Sequence, residues 1–210
     1  MRKFIPKMSL SSKAILIVIL ILIIDQVVKI YIKTHMALGS SIPVFDGWFL
    51  IRFIENPGMA FGIDIPSKFG KPALTLFRII AACIIGWYLA SLIKRKAPVG
   101  FVICISLILA GAIGNIIDSM FYGLIFSESN YFEAAKLFPQ AGGYSSFLHG
   151  HVVDMLYFPL FEGNYPDWFP VWGGQKFIFF RPIFNIADSA ISIGVMSIFI
   201  FQRKYLKELH

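Results

Sequence analysis

The sequence predicts a membrane protein with an all-α core: four transmembrane helices, a small extracytoplasmic β-rich element and an outer loop or lid. Three observations carry this. Of the 210 residues, 57% are hydrophobic and only 15% are charged, and the mean hydropathy is +0.73, whereas a soluble domain is roughly half apolar. Four apolar runs are long enough to cross the roughly 30 Å of hydrocarbon in a bilayer. Lysines and arginines cluster in the short flanks of those runs, the pattern that sets topology. The chain is read as one integral membrane domain over residues 1–210.

The first span covers residues 14–32 and is interrupted by Asp25, Gln26 and Lys29. Its basic front (Arg2, Lys3, Lys7, Lys13) is like that of a signal peptide. No small-x-small cleavage site follows, and Asp25 and Lys29 sit where a signal peptide would be plain, so it is read as a retained helix. The second span covers 73–93, with Arg78 near one end. The third covers 99–120 and carries Asn115 and Asp118 near its end. The fourth covers 183–201 and carries Asn185 and Asp188 near its start.

Lys94, Arg95 and Lys96 lie between the second and third spans, and Arg203, Lys204 and Lys207 follow the fourth. With four spans, these clusters and the basic front all fall on one side, which is then cytoplasmic. Both termini are expected inside, and the connections 33–72 and 121–182 outside. The stretch 42–53 mixes β-branched and aromatic residues with Gly and Pro, which reads as short strands with turns. The second connection is rich in Gly, Pro, Trp and Phe and alternates poorly. Trp48, Trp168 and Trp172 suit the headgroup level, where membrane lipids are the expected partners.

The net charge of +7 does not point to nucleic acid, because no basic patch interleaved with aromatics occurs. Cys83 and Cys104 fall in apolar runs and are too few for a disulfide framework or a zinc site. They read as small core residues.

Ionisable groups inside a span are costly and therefore functional candidates. Asn115 and Asp118, and Asn185 and Asp188, fall at the outer ends of their spans, and Asp25 and Lys29 in the outer half of theirs. The first two pairs are three residues apart, so each pair shares one helix face. Asp25 and Lys29 are four apart and can pair within their own helix. A transporter would spread such groups through the membrane depth. Asp154, in the segment 149–155, sits in an apolar run, which is unusual for a solvated loop. Two chemistries fit this segment. His149, His151 and Asp154 have spacing that suits a metal ion, with both histidines on one strand face. Alternatively, Asp154 and Asp188 form a pair of carboxylates that share a proton and activate water. Asn115 and Asn185 are placed to hold those carboxylates by hydrogen bonds.

Five motifs together resemble the lipoprotein signal peptidase family, the type II signal peptidases of bacteria. They are Asp25-Gln26-x-x-Lys29, Asn56-x-Gly58-x-Ala60-Phe61-Gly62, Gly114-Asn115-x-x-Asp118, Val152-Val153-Asp154-Met155 and Phe184-Asn185-x-Ala187-Asp188. The resemblance covers roughly residues 14–200. It implies an aspartic endopeptidase of the bacterial cytoplasmic (inner) membrane, with its site near the outer face and no metal or other cofactor. The implied substrate is a prolipoprotein carrying a diacylglyceryl-cysteine, cut just before that cysteine, and globomycin is the implied inhibitor. The implied catalytic pair is Asp154 and Asp188. Asp25, Lys29, Asn56, Gly58, Gly114, Asn115, Asp118, Asn185 and Ala187 match the family's motifs around the site. Two departures stand out. The third motif usually ends in Arg, but Ser119 follows Asp118 here, and Arg52 or Arg181 are candidates to replace the lost contact. The stretch 121–182 is also longer than usual. The Gly-rich segment 56–62 is expected to close over bound peptide.

Overall fold

The computed structural model describes residues 8–45, 47–57, 70–179, 182–203 and 205. Helix α1 (Leu10–His35) starts behind Ser9, whose hydroxyl accepts the Ser12 N–H at 3.0 Å and so satisfies an end group the helix cannot. Helix α2 spans Gly70–Lys94. Helix α3 (Val99–Ile117) opens after Pro98 and runs into one wide π turn (Asp118–Tyr122) and the short α4 (Gly123–Ile125). The helical segment is therefore continuous over Val99–Ile125, five residues beyond the expected end of the third span. These three segments are long and apolar enough to cross a membrane. Helices α1 and α2 turn large apolar side chains outward, with Ile15, Ile19, Phe77, Ile84 and Trp87 exposed. That surface suits lipid rather than water.

The fourth helix, α5 (Ile186–Phe201), is apolar but has only 16 residues, about 24 Å at the α-helical rise. The expected span began at residue 183, and the structure corrects this. Ile183 and Phe184 form a strand, and Asn185 is the N-cap, with extended backbone and a side chain accepting from Asp188 N–H. A residue already capping the helix cannot also lie inside it.

Helix α3 is central and packs against α1, α2 and α5. The α3–α5 seam is close because Gly111 lies on it: a Cβ there would sit 2.2 Å from the Ala187 carbonyl oxygen. Gly194 opens the seam further along, where a Cβ would lie 2.7 Å from the Cys104 carbonyl oxygen. Small residues at such seams let backbones approach.

At one end of the helices lies an antiparallel sheet of four strands in the order β1 (Ser41–Phe45), β2 (Phe49–Asn56), β3 (Val152–Tyr157) and β6 (Ile183–Phe184). Leu50 pairs with Tyr157, and Leu156 with Phe184. Strand β3 thus has neighbours on both edges, and Val152 to Met155 are all buried. Underneath, Phe53, Val153 and Met155 pack on Ile32, Met36, Tyr122 and Phe126. A separate hairpin, β4 (Phe161–Asn164) and β5 (Lys176–Phe179), occupies the long second connection. The first connection also starts later than expected, because α1 continues to His35, and ends earlier, at Gly70. The expected closing segment lies, from Gly58 onward, outside the described residues.

Candidate active site

Lys29 organises the first half of the site. Its ammonium donates to Asp25 Oδ2 at 2.9 Å, Asp118 Oδ2 at 2.8 Å and Asn115 Oδ1 at 3.0 Å. An ammonium has three donors, and all three are used. Lys29, Asp25 and Asp118 are fully buried. The carboxylates are satisfied on their other sides too. Asp25 Oδ1 accepts the Ala187 N–H at 2.9 Å, and Asp118 Oδ1 accepts Gln26 Nε2 at 2.9 Å. Gln26 Oε1 in turn accepts the Tyr122 hydroxyl at 3.1 Å. Gly114 belongs here for want of a side chain: a Cβ would lie 2.7 Å from Asp25 Oδ2. The expected Asp25–Lys29 pair is therefore one edge of a network joining α1, α3 and α5.

Two asparagines carry the network onward. Because Asn115 Oδ1 receives Lys29, its Nδ2 faces the other way and donates to Asp188 Oδ1 at 2.7 Å. Asn185 touches both remaining acids. Its Nδ2 donates to Asp154 Oδ1 at 2.7 Å and to Asn115 Oδ1 at 3.1 Å, its backbone N–H donates to Asp188 Oδ2 at 3.4 Å, and its Oδ1 accepts the Asp188 N–H at 2.8 Å. The reciprocal Asn185–Asp188 bonds form a capping box. Asp154 reaches the same place from β3, whose Val153 N–H is held by Asp118 Oδ2 at 3.3 Å.

Asp154 is 6% exposed. Burial pushes its carboxyl up, the neighbouring Asp188 charge adds to this, and it reaches about 7 despite the Asn185 hydrogen bond and the Lys29 charge. Asp188 is half-buried and lines an open cleft of about 430 Å³ with Pro182, Phe184, Ser189, Ser192 and Ile193. The wall of that cleft is mostly apolar. One asparagine thus ties a buried carboxyl, Asp154, to one that faces the cleft, Asp188, an arrangement suited to acid–base chemistry.

The other expected residues fall as follows. Asn56 ends β2 and pairs in register with Val152. Gly58 and Arg181 lie outside the described residues. The metal reading of His149, His151 and Asp154 does not fit the geometry. His149 Nδ1 lies 3.0 Å from Ser146 Oγ, while His151 Nδ1 lies 2.9 Å from Glu55 Oε2. Both histidines precede β3, so the strand alternation that would align them does not apply. Among the described residues, no three His, Cys, Asp or Glu side chains gather as a metal ion requires. Arg52 lies 5.8 Å over the Tyr157 ring, away from Ser119. The guanidinium beside Ser119 is that of Arg78, whose Nη1 donates to Ser119 Oγ at 3.4 Å.

The sequence profile of the family described as signal peptidase (SPase) II matches residues 17–203. The chain belongs to the signal peptidase II family. Members of this family are aspartic peptidases. The lipoprotein signal peptidase of Porphyromonas gingivalis (strain ATCC 33277) is 51% identical over 197 residues, covering 93% of this chain and 85% of the relative. That of Amoebophilus asiaticus is 37% identical, covering 91% and 78%. A bacterial membrane enzyme solved by the in meso method at 2.3 Å superposes with a TM-score of 0.58 at 29% identity, over 92% of this chain and 88% of that one.

Within this signal peptidase II fold, a second polar cluster escaped the sequence reading. Lys33, fully buried, donates to Glu55 and, at 2.8 Å, to Ser129 Oγ. Burial alone would raise the Glu55 carboxyl, but the His151 hydrogen bond and the Lys33 ammonium outweigh it and hold it down at about 2. The cluster ties α1 to β2 and to the start of the long connection. The available signal was spacing, since Lys33 follows Lys29 by four residues and so shares its helix face.

Proposed function

We propose that this enzyme removes signal peptides from diacylglyceryl-modified prolipoproteins, cutting just before the lipidated cysteine with Asp154 and Asp188. The observation that carries this is Asn185, which bonds both carboxyls at once. Asp154, buried and raised to about 7, carries the resting proton. Asp188, with an N–H donor on each oxygen and a face on the cleft, is the base.

Asp188 takes a proton from water as the water oxygen bonds to the scissile carbonyl carbon. Asp154 gives its proton to the carbonyl oxygen, forming a neutral gem-diol. Asp188 then returns its proton to the cysteine nitrogen as the C–N bond breaks, and Asp154 recovers a proton from the diol. The products are a signal peptide ending in a carboxyl group and a lipoprotein beginning with the modified cysteine. Burial strengthens each of these charge interactions.

The same reading places the protein in the bacterial cytoplasmic membrane with both termini inside. Lys13 and the Lys94–Lys96 turn then face the cytoplasm, and the sheet and the carboxyl pair lie at the outer face. The apolar cleft beside Asp188 suits a lipid-bearing peptide arriving from the bilayer. Globomycin-type inhibitors are expected to compete there.

The test is cleavage by purified protein of one prolipoprotein with and without the diacylglyceryl group. Lipidated substrate is expected to be cut much faster, and globomycin to block it. Equal rates on the two substrates would point to a general peptidase instead.

A further inference from the structure

Arg78 is the only charge inside α2, since Lys71 and Lys94 stand at its ends. An arginine two turns into an apolar helix is costly, so it is retained for something it faces. The other buried cations are matched: Lys29 by Asp25 and Asp118, Lys33 by Glu55. Arg78 makes no ion pair among the described residues. Its bond there is the 3.4 Å contact to Ser119 Oγ, and Ser119 is held by its own bond to the Asn115 carbonyl at 3.0 Å. Ser119 is buried on the π turn, directly after Asp118. The guanidinium is thus fixed beside the site without being neutralised. Its charge acts most strongly on Asp188, then Asp154, then Asp118.

The remaining charged groups around the carboxyl pair are engaged elsewhere. From α1, Lys29 is bonded to Asp25 and Asp118, and its charge also reaches Asp154. From β2, Glu55 is taken by Lys33 and by His151. Lys71, at the end of α2, acts on Glu55 and on Arg78. A pair that shares one proton carries one negative charge, and Arg78 is the cation facing it from α2.

We propose that Arg78 is a positioning residue for the proposed reaction, its charge setting the pH window in which the Asp154–Asp188 pair holds one proton. This rests on the reading of that pair as catalytic. A nearby positive charge favours ionised carboxyls. Without it, both ionisations of the pair move to higher pH, so the active window moves with them. The hydrogen bond to Ser119 sets where the guanidinium sits, and the charge sets what it does.

The experiment is the pH profile of kcat/KM on a lipidated prolipoprotein. In Arg78→Gln both limbs are expected to move up by about one pH unit, which lowers the rate on the acid limb about tenfold. Arg78→Lys keeps the charge and is expected to keep the limbs while lowering the rate. Ser119→Ala removes the hydrogen bond but keeps the charge, and is expected to move the limbs less than Arg78→Gln does. If Arg78→Gln does not accumulate in the membrane, Arg78→Gln with Ser119→Arg returns a guanidinium to the same spot and is expected to restore both protein and profile. An unmoved profile in Arg78→Gln, a Ser119→Ala profile shifted as far as that of Arg78→Gln, or a double variant without recovery overturns the proposal. Asp154→Asn in the same series separates the two ideas. Activity surviving that change sinks the carboxyl pair itself, whereas an inactive Asp154→Asn beside an unmoved Arg78→Gln profile sinks only the role of Arg78.

Discussion

Two groups of acids lie side by side in this protein and are treated in opposite ways. Asp25 and Asp118 share an ammonium and accept N–H donors from a glutamine and the backbone. Asp154 and Asp188 are held by neutral amides and backbone N–H groups, and no cation pairs with either among the described residues. The first group shares one cation between two acids, has a donor on every carboxyl oxygen and is closed to solvent. The second keeps its charge problem, and Asp154 answers by holding a proton up to about pH 7. Residue type is shared, so the difference comes from who supplies the donors and from the cleft that reaches Asp188. A lysine turns acids into a brace, whereas asparagines fix acids in place and leave their chemistry available.

The sharpest break in this comparison is Asp154→Asn. It keeps the shape and removes the acid, so turnover is expected to fall about 10⁴-fold, the upper range for a positioned acid–base group. The melting temperature in detergent should stay level or rise. Turnover within a few-fold of wild type would remove Asp154 from the chemistry.

Next in size is the reverse experiment on the brace. Lys29→Met leaves two buried carboxylates unmatched, which costs about 3–5 kcal/mol. Loss of protein from the membrane fraction is the expected reading, and a wild-type melting profile would contradict it. Asn185→Ala cuts between the two groups. It removes a helix cap, worth about 1 kcal/mol, and frees both carboxyls. A modest drop in melting temperature with a larger drop in turnover is expected, and a purely structural cap would lower the melting temperature alone.

The smallest effect is in pH. The folded protein holds the Asp154 carboxyl above its unfolded value, so its contribution to stability is complete below about pH 4, the unfolded value, and is lost as pH rises through about 7. The wild-type melting temperature should therefore be slightly lower at pH 8 than at pH 6. Glu55 is depressed, so its contribution falls away only toward pH 2 and does not interfere. In Asp154→Asn the difference between pH 6 and pH 8 should vanish, and turnover of wild type should decline over the same interval.

Much of this was legible in the sequence because apolar runs advertise the helices and any acid within them stands out. The pairs Asn115/Asp118 and Asn185/Asp188 could be read from spacing alone. The roles within each pair could not. Asp118 turns toward Lys29 while Asn115 turns toward Asp188, and that split depends on where three helices meet. The start of α5 was misplaced because Ile183 and Phe184 are as apolar as the helix that follows, and only pairing with β3 marks them as strand. The π turn was invisible because its residues, Asp118 to Tyr122, carry no Gly or Pro to announce it. Arg78 was passed over in favour of Arg52 and Arg181 because sequence distance from Ser119 says nothing of which helix lies alongside.

The glycine seam between α3 and α5 has a mechanical meaning. At Gly111 the two helices rest main chain on side-chain-free main chain, which leaves no compressible layer between them. Asn115, one turn beyond Gly111, and Asp188, next to Ala187, are thereby bolted to a common frame. The spacing of these two side chains is a property of the backbone, insensitive to changes in the outward-facing residues around it. The outer connections can therefore move without passing strain into the seam that carries Asn115 and Asp188.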